Sequence, residues 1–153
     1  MSVSNPLRKF VDKVNQYPAS VSAFLMTKVF RFKVKLAGTT SIEVVSTDGR
    51  RVEYRLKNRT KVQNHIGSVH AAAMALLAES ATGFIVGMIK CMNLNYVKRA
   101  TGDMTAVATL TDAQIALLAQ QEKGEINVQV KVTDETGIQP VECEMIWAWV
   151  PKR

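Results

Sequence analysis

Cysteine, aromatic residues and long apolar runs are all scarce in this 153-residue chain. The two cysteines, Cys91 and Cys143, form no CxxC pair and have no histidine at metal-ligand spacing. Neither a disulfide framework nor a zinc site is expected, and both thiols are predicted to be reduced and mostly buried. Aromatic residues are 7% of the chain and do not alternate with basic ones, which argues against a stacking surface for single-stranded nucleic acid.

Apolar runs long enough to span a bilayer are also missing. The best candidate, Val69 to Ala78, is followed at once by Glu79, well short of the roughly 18 residues that a membrane span needs. Charged residues between Arg8 and Lys13 interrupt any signal-peptide pattern. The sequence therefore predicts no membrane span and a cytoplasmic protein.

Positive charge, in contrast, is plentiful, because the formal net charge is +7. The excess fits a polyanionic partner: nucleic acid, an acidic membrane face or a phosphate-rich cofactor. The chain shows no helix-turn-helix, zinc-finger or RNP-type pattern, so we expect no nucleic-acid partner. The near-alternating basic residues between Arg50 and Lys61 are typical of the solvated face of a strand.

The order of elements indicates a single α+β domain over residues 1–153, in which residues 1–32 form a helical N-terminal extension. Asn5-Pro6 is a helix start, and Ser20 or Ser22 is a candidate cap for a second helix that reaches about Phe30. Asp48-Gly49 is a turn signal between two alternating segments. Four more strand candidates follow: Met92–Val97, Met104–Leu110, Glu125–Thr133 and Gln139–Val150. A short capped helix, Thr111–Gly124, is predicted between the second and the third of these.

The segment from Gln63 to Gly83, QNHIGSVHAAAMALLAESATG, is the most hydrophobic helix and is apolar on nearly every side. A helix of that kind must be covered all round. A curved antiparallel sheet of about six strands, wrapped around one central helix, provides that cover. This is the hotdog arrangement.

The same segment, with AGTTSIEVVSTDGRRVEYRL and LNYVKRATGDMTAVATL, resembles the hotdog-fold acyl-CoA thioesterases of the PaaI-like type. It is most similar to an uncharacterised bacterial branch with an N-H-x-x-S-x-H-A motif. The resemblance covers roughly Lys35 to the C-terminus. The family motif is an amide, a histidine and an acid, which fall on Asn64, His70 and Glu79. Where the family usually has two glycines after the histidine, this chain has Ala71 and Ala72, and Gly83 stands where some relatives carry a hydroxyl.

Glu79 is the principal catalytic candidate. Its helix neighbours are Ala75, Leu76, Thr82 and Gly83, of which only Thr82 is polar. A buried, unpaired carboxylate is costly, so it usually has a function. The resemblance implies a general base that activates water, or a nucleophile. A purely structural alternative is pairing with an arginine or an amide at a dimer contact.

The start of the helix supplies the other candidates. The backbone N–H of Ala71 is a candidate oxyanion donor. Asn64 would hold water or the thioester, or else is a turn residue that bonds its own backbone. His70 would orient the loop and the helix start. Ala71 and Glu79 lie about 12 Å apart along one helix, so both can act on one carbon only across a subunit interface. We therefore expect a dimer or a dimer of dimers.

Several alternatives remain open from the sequence. Lys98 and Arg99 would bind the phosphates of coenzyme A, or would lie on a solvated loop. Coenzyme A would enter as part of the substrate, with no resident cofactor and no metal expected. A non-catalytic acyl-CoA or lipid-binding protein is the second reading. A dehydratase or hydratase using His65 and Glu79 is the third, although the turn between them lacks the expected proline.

Overall fold

The computed structural model describes residues 6–84, 86 and 88–150. The predicted cap at Asn5 lies outside these residues. The helices, in chain order, are α1 (Pro6–Val14), α2 (Ala19–Lys33), α3 (Lys35–Thr40), α4 (Ala71–Gly83) and α5 (Asp112–Gln120). The strands are β1 (Glu43–Thr47), β2 (Arg51–Leu56), β3 (Met88–Tyr96), β4 (Met104–Thr109), β5 (Gly124–Asn127), β6 (Gln129–Asp134) and β7 (Val141–Trp149).

One antiparallel sheet contains all seven strands, in the order β1-β2-β4-β6-β7-β3, with β5 also paired to β7. The strand predicted as Glu125–Thr133 is in fact two strands separated by Val128. The N–H of Val128 bonds the carbonyl of Met145 and its side chain is fully buried. The chain changes its pairing at that point, because β5 pairs with β7 whereas β6 pairs along its length with β4.

The β1–β2 hairpin follows the predicted alternation, because Ile42, Val44, Val52, Tyr54 and Leu56 are all buried. The turn is set one residue later than predicted. The N–H of Asp48 bonds the carbonyl of Arg51, which leaves Gly49 and Arg50 as the turn. Gly49 adopts a φ of 85°, and the Asp48 carboxylate accepts from the N–H groups of Arg50 and Arg51.

The N-terminal helices pack against the hairpin edge of the sheet. No serine caps α2; Pro18 stands at the cap position, and the Ser22 hydroxyl donates instead to the carbonyl of Val14. The Thr27 hydroxyl accepts from the N–H of Val44 at 2.9 Å. Arg31 donates to the carbonyls of Ser41 and Ile42. These bonds fix α2 beside β1, and the helical segment continues beyond the predicted end at Phe30.

The central helix α4 packs against β2, β3, β4, β6 and β7. Its buried residues are Ala73, Met74, Leu76, Leu77, Ala78, Ser80, Ala81 and Thr82. The sheet thus wraps one helix, as the sequence predicts. The cover is incomplete on a single chain, because Ala72 is exposed and Ala75 and Glu79 are half-buried. None of the described helices is long and apolar enough to cross a bilayer.

Candidate functional site

A pocket of about 560 Å³ lies between α2, α4 and the ends of β3 and β7. Its walls are mostly apolar. The lining residues are Phe10, Met26, Val29, Phe30, Lys33, Val34, Leu76, Glu79, Ser80, Gly83, Phe84, Met88, Ile89 and Trp147. Most small-molecule sites combine an apolar cavity with a few polar groups, and this one has the same character.

Among the described lining residues, Glu79 is the one carboxylate and Lys33 is the one cation. The Glu79 side chain is half-buried, less enclosed than the sequence predicted. It forms no ion pair with the residues that the structure describes. The arginine partner of the structural alternative is therefore not supplied by the described part of this chain.

The end of α4 closes the pocket tightly. A methyl group added at Gly83 would lie 2.4 Å from the Trp147 ring, so glycine is what allows the indole to pack against the helix. The nearby Thr82 hydroxyl donates to the carbonyl of Ala78 at 2.9 Å and is fully buried. Thr82 therefore does not present its hydroxyl to the pocket.

The start of α4 is organised by His70. The His70 Nδ1 atom accepts from the Ala72 N–H at 3.0 Å, which makes this residue the N-cap. The N–H groups of Ala73 and Met74 bond the His70 carbonyl. The Ala71 N–H has no acceptor among the described residues, and Ala71 is exposed. A free N–H at a positive helix end suits an anionic oxygen.

The loop before α4 is held by Asn64. Its side-chain oxygen accepts from the N–H groups of Ile66 and Ser68, both at 3.1 Å, and its own N–H bonds the Ser68 carbonyl. Asn64 is thus a turn residue, as the alternative reading had it. Its amide NH₂ has no partner among the described residues, so it can still donate to a ligand oxygen.

Arg99 braces the same loop. Its guanidinium donates to the Ile66 carbonyl at 2.8 Å and to the Ser68 hydroxyl at 3.3 Å. The Ser68 hydroxyl in turn donates to the Ala100 carbonyl. Arg99 is exposed, but part of its donor capacity is already used within the chain. Lys98 is exposed as well, and its backbone N–H bonds the Pro140 carbonyl.

Tyr96 is a residue of this region that the sequence analysis missed. Its hydroxyl donates to the Ala71 carbonyl at 2.8 Å, which ties the end of β3 to the first turn of α4. Burial, together with the nearby Cys143 thiol, raises the pKa of Tyr96. The strand alternation gave no signal for this contact, because it joins elements 25 residues apart.

A second pocket, of about 270 Å³, lies beside the helix start. His70, Ala72 and Ala73 border it, and Lys61 and Gln63 contribute from the segment before. Leu76 lines both this pocket and the larger one. Glu79 and His70, at the two ends of the predicted site, therefore line neighbouring cavities, and the Leu76 side chain lies between these cavities.

The remaining candidates lie apart from the carboxylate. His65 is exposed on the loop and does not line the Glu79 pocket. Both cysteines are free and half-buried, and burial raises the pKa of Cys143 to about 11. Across the described residues, no cluster of three or more His, Cys, Asp or Glu side chains offers a metal site.

Comparisons with solved structures identify the fold. A Pseudomonas aeruginosa protein of unknown function, described as a probable thioesterase, has a TM-score of 0.71 at 23% identity, over 86% of this chain and 95% of that one. A mouse thioesterase superfamily member has a TM-score of 0.62 at 18% identity, over 80% and 91%. A P. aeruginosa thioesterase mutant gives 0.62 at 17%, over 82% and 94%.

The likeness confirms the hotdog fold, and it holds across nearly the full length of each relative. A comparison with curated proteins gives no match in sequence. A family model does match, over residues 22–150, and it is described as a domain of unknown function, DUF4442. Since that match covers all of the sheet and the central helix, the chain belongs to the DUF4442 family.

Proposed function

We propose that this protein hydrolyses an acyl thioester, with acyl-CoA as the substrate class. The observation that carries the proposal is Glu79, a carboxylate without an ion-pair partner in the described chain, set in the wall of a mostly apolar 560 Å³ pocket. An acyl chain needs apolar walls, and its hydrolysis needs a base or a nucleophile. The names of the similar structures point the same way.

The chemistry assigns each group one task. Glu79 takes a proton from water as the water oxygen attacks the thioester carbon, or attacks that carbon itself and forms an anhydride, which water hydrolyses after the thiolate has left. The carbonyl oxygen becomes an oxyanion, which the Ala71 N–H stabilises. The carbon–sulfur bond then breaks, and the leaving thiolate takes up a proton. The products are a carboxylic acid and a thiol.

The site is shared between two subunits in this proposal. Ala71 and Glu79 lie about 12 Å apart along α4, too far to act on one carbonyl within one chain. Ala72, Ala75 and Glu79 follow helical spacing on the side of α4 that the sheet leaves open. The strand β3 forms one edge of the sheet and is exposed or half-buried along its length. An unpaired edge of this kind favours pairing with a second copy.

The groups at the helix start position the substrate. His70 caps α4 through the Ala72 N–H, and the Ala71 N–H has no acceptor among the described residues. The Asn64 amide NH₂ would donate to the thioester oxygen or to water. Lys98, together with the donor capacity that Arg99 retains, would bind the phosphates of coenzyme A. No resident metal or cofactor takes part in this scheme.

The test is thiol release from a panel of acyl-CoAs, measured on two variants. Glu79→Gln keeps the side-chain shape and removes the charge, so turnover should fall by roughly 10²–10⁴. Ala71→Pro removes the N–H, the proposed oxyanion donor, and puts a ring carbon in the place of its hydrogen. Proline is well tolerated at the first helical position, and His70 already has the extended backbone, with ψ at 143°, that must precede it. Ala71→Ser and Glu122→Gln are the matched controls.

The outcomes separate the candidate functions. Loss of turnover in both variants at unchanged melting temperature supports the proposal. A Glu79→Gln protein that melts several degrees lower but releases thiol normally would assign Glu79 a structural role. Tight acyl-CoA binding without any thiol release would identify a non-catalytic binding protein. Addition or loss of water with the thioester intact would identify a dehydratase or hydratase that uses His65 and Glu79.

A further inference from the structure

The positive charge of this protein is concentrated in its N-terminal helices. Residues 6–40 contain seven Lys and Arg residues and one acidic residue, Asp12, which gives +6. Residues 41–153 contain 13 basic and 12 acidic residues, which gives +1. Almost the whole net charge of +7 therefore belongs to α1, α2, α3 and the turns between them.

The same segment exposes apolar side chains. Val21, Phe24, Lys28 and Phe32 recur at spacings of three and four and so form one face of α2, called here the α2 ridge. Phe24 is 60% exposed and Phe32 is 68% exposed. The opposite face of the helix, with Met26 and Phe30, is buried against the core. The helix thus has one apolar face in the protein and a second one facing outward.

A lysine ammonium group lies over each of the two exposed rings. The Lys28 Nζ lies 5.4 Å from the centre of the Phe24 ring, and the Lys35 Nζ lies 4.5 Å from the centre of the Phe32 ring. Arg31 is not part of this arrangement, because it is turned inward to the carbonyls of Ser41 and Ile42. Apolar rings flanked by lysines, with no acidic residue on the ridge, are the pattern of a helix that lies in a membrane interface.

We propose that the α2 ridge docks this protein on an anionic phospholipid surface. The two phenylalanine rings enter the headgroup region, and the lysine stems extend along them so that the ammonium groups reach the lipid phosphates. Helix α2 lies flat on the surface and nothing spans the bilayer. A protruding ridge suits a lipid surface, since lipids rearrange around it and need no complementary groove.

Two other occupants fit the ridge less well. A second copy related by a two-fold axis would bring two +6 segments together, which like-charge repulsion opposes. A protein partner would be expected to engage Trp, Tyr or Arg anchors, which dominate the energetics of protein interfaces. The ridge offers Phe, Val and Lys.

Docking through α2 also has a geometric consequence. Val29 and Lys33, on the same helix, line the 560 Å³ pocket. The docked protein would hold that pocket within about one helix diameter, roughly 10 Å, of the lipid. Binding to lipid does not depend on turnover, however, so the proposal stands or fails separately from thioester hydrolysis.

The experiment is co-sedimentation of the full chain with vesicles of phosphatidylcholine containing about 30% phosphatidylglycerol, compared with phosphatidylcholine alone. The expected result is binding to the anionic vesicles that weakens as salt rises. Phe24→Ser with Phe32→Ser should reduce the partition coefficient by roughly tenfold per ring. Lys28→Gln with Lys35→Gln should weaken binding to anionic vesicles only. Ile138→Ser and Lys123→Gln, exposed on other parts of the chain, are the matched controls and should bind normally.

The contrary results are equally specific. Absence of binding to the anionic vesicles at low salt would overturn the proposal. So would binding that the double phenylalanine variant retains in full, provided circular dichroism shows it folded. A smaller particle mass for that variant by light scattering would make a second copy the occupant of the ridge. Soluble polyglutamate binding that requires both rings would instead point to an acidic protein.

Discussion

His70 determines how the first turn of α4 presents its N–H groups. Its ring nitrogen Nδ1 accepts a hydrogen bond from the Ala72 N–H, and its carbonyl oxygen accepts from the N–H groups of Ala73 and Met74. Of the first four N–H groups of α4, that of Ala71 is the one without an acceptor among the described residues. Because Nδ1 accepts a hydrogen bond, the neutral ring carries its proton on Nε2. The Nδ1 atom of His70 therefore caps the first turn of the helix.

Substitution of His70 tests that role through stability. His70→Ala removes the cap and should lower the free energy of unfolding by about 1 kcal/mol, as lost caps usually do. His70→Asn supplies another acceptor at the same position and should remain within a few tenths of the wild-type value. Urea denaturation of the three proteins gives the comparison. If His70→Asn proved as unstable as His70→Ala, the Nδ1 hydrogen bond would not be what holds the turn.

At the scale of elements, prediction from sequence succeeded where side-chain alternation matches burial. Val52, Tyr54 and Leu56 show this in β2. It failed where a long-range contact decides the structure. Nothing near Val128 marks the change of partner that divides β5 from β6, because that change depends on the bond to Met145.

The candidate site shows the same division. Asn64 and His70 precede α4 and Glu79 lies within it, so the sequence could place all three in one local segment. The pocket beside Glu79 could not be predicted, because Phe30 and Trp147 reach it from opposite ends of the chain. The brace formed by Arg99 was missed for the same reason, as it spans more than 30 residues.

The β6–β7 turn is built on a buried carboxylate, and this makes its stability depend on pH. Asp134 accepts from the N–H groups of Thr101, Thr136 and Ile138 and from the Thr136 hydroxyl. Burial raises the pKa of Asp134, but the four hydrogen bonds together lower it by more than burial raises it. The pKa of Asp134 is therefore below its usual value of 3.8. The stabilisation is complete above that value and is lost as the pH falls through the lower pKa of the folded state.

Asp134→Asn should expose this dependence. At neutral pH the variant should be less stable by about 1–3 kcal/mol, because a neutral amide replaces a charged acceptor of several bonds. The difference from wild type should shrink as the pH is lowered below about 4, where wild type loses its own advantage. Denaturation at a series of pH values measures it, with Glu122→Gln as an exposed control. A gap that stayed constant down to pH 2 would show that the carboxylate charge contributes nothing to the turn.

At the scale of the whole molecule, two neighbouring surfaces are not covered by the described elements of the chain itself. The face of α4 with Ala72, Ala75 and Glu79 is not wrapped by the sheet, and β3 is an open edge nine residues long. The open face of α4 and the β3 edge are neighbours, because the Tyr96 hydroxyl of β3 donates to the Ala71 carbonyl in the first turn of α4. A symmetric second copy placed there would cover both and bring one helix start toward the other chain's carboxylate.

Hybrid dimers test this arrangement directly. Ala71→Pro and Glu79→Gln should each be inactive alone, and light scattering should give a dimer or larger assembly for both. In a hybrid of the two, one shared site carries both substitutions, whereas the other combines an intact Ala71 with an intact Glu79. Random exchange makes half of the dimers hybrid, so thiol release should recover to about a quarter of the wild-type rate. If each site lay within one chain, no combination would contain an intact site and nothing would be recovered. Mixing Ala71→Pro with the double variant is the control, because neither arrangement can then restore activity. Recovery in the hybrid but not in the control is the result that only a site divided between two subunits produces.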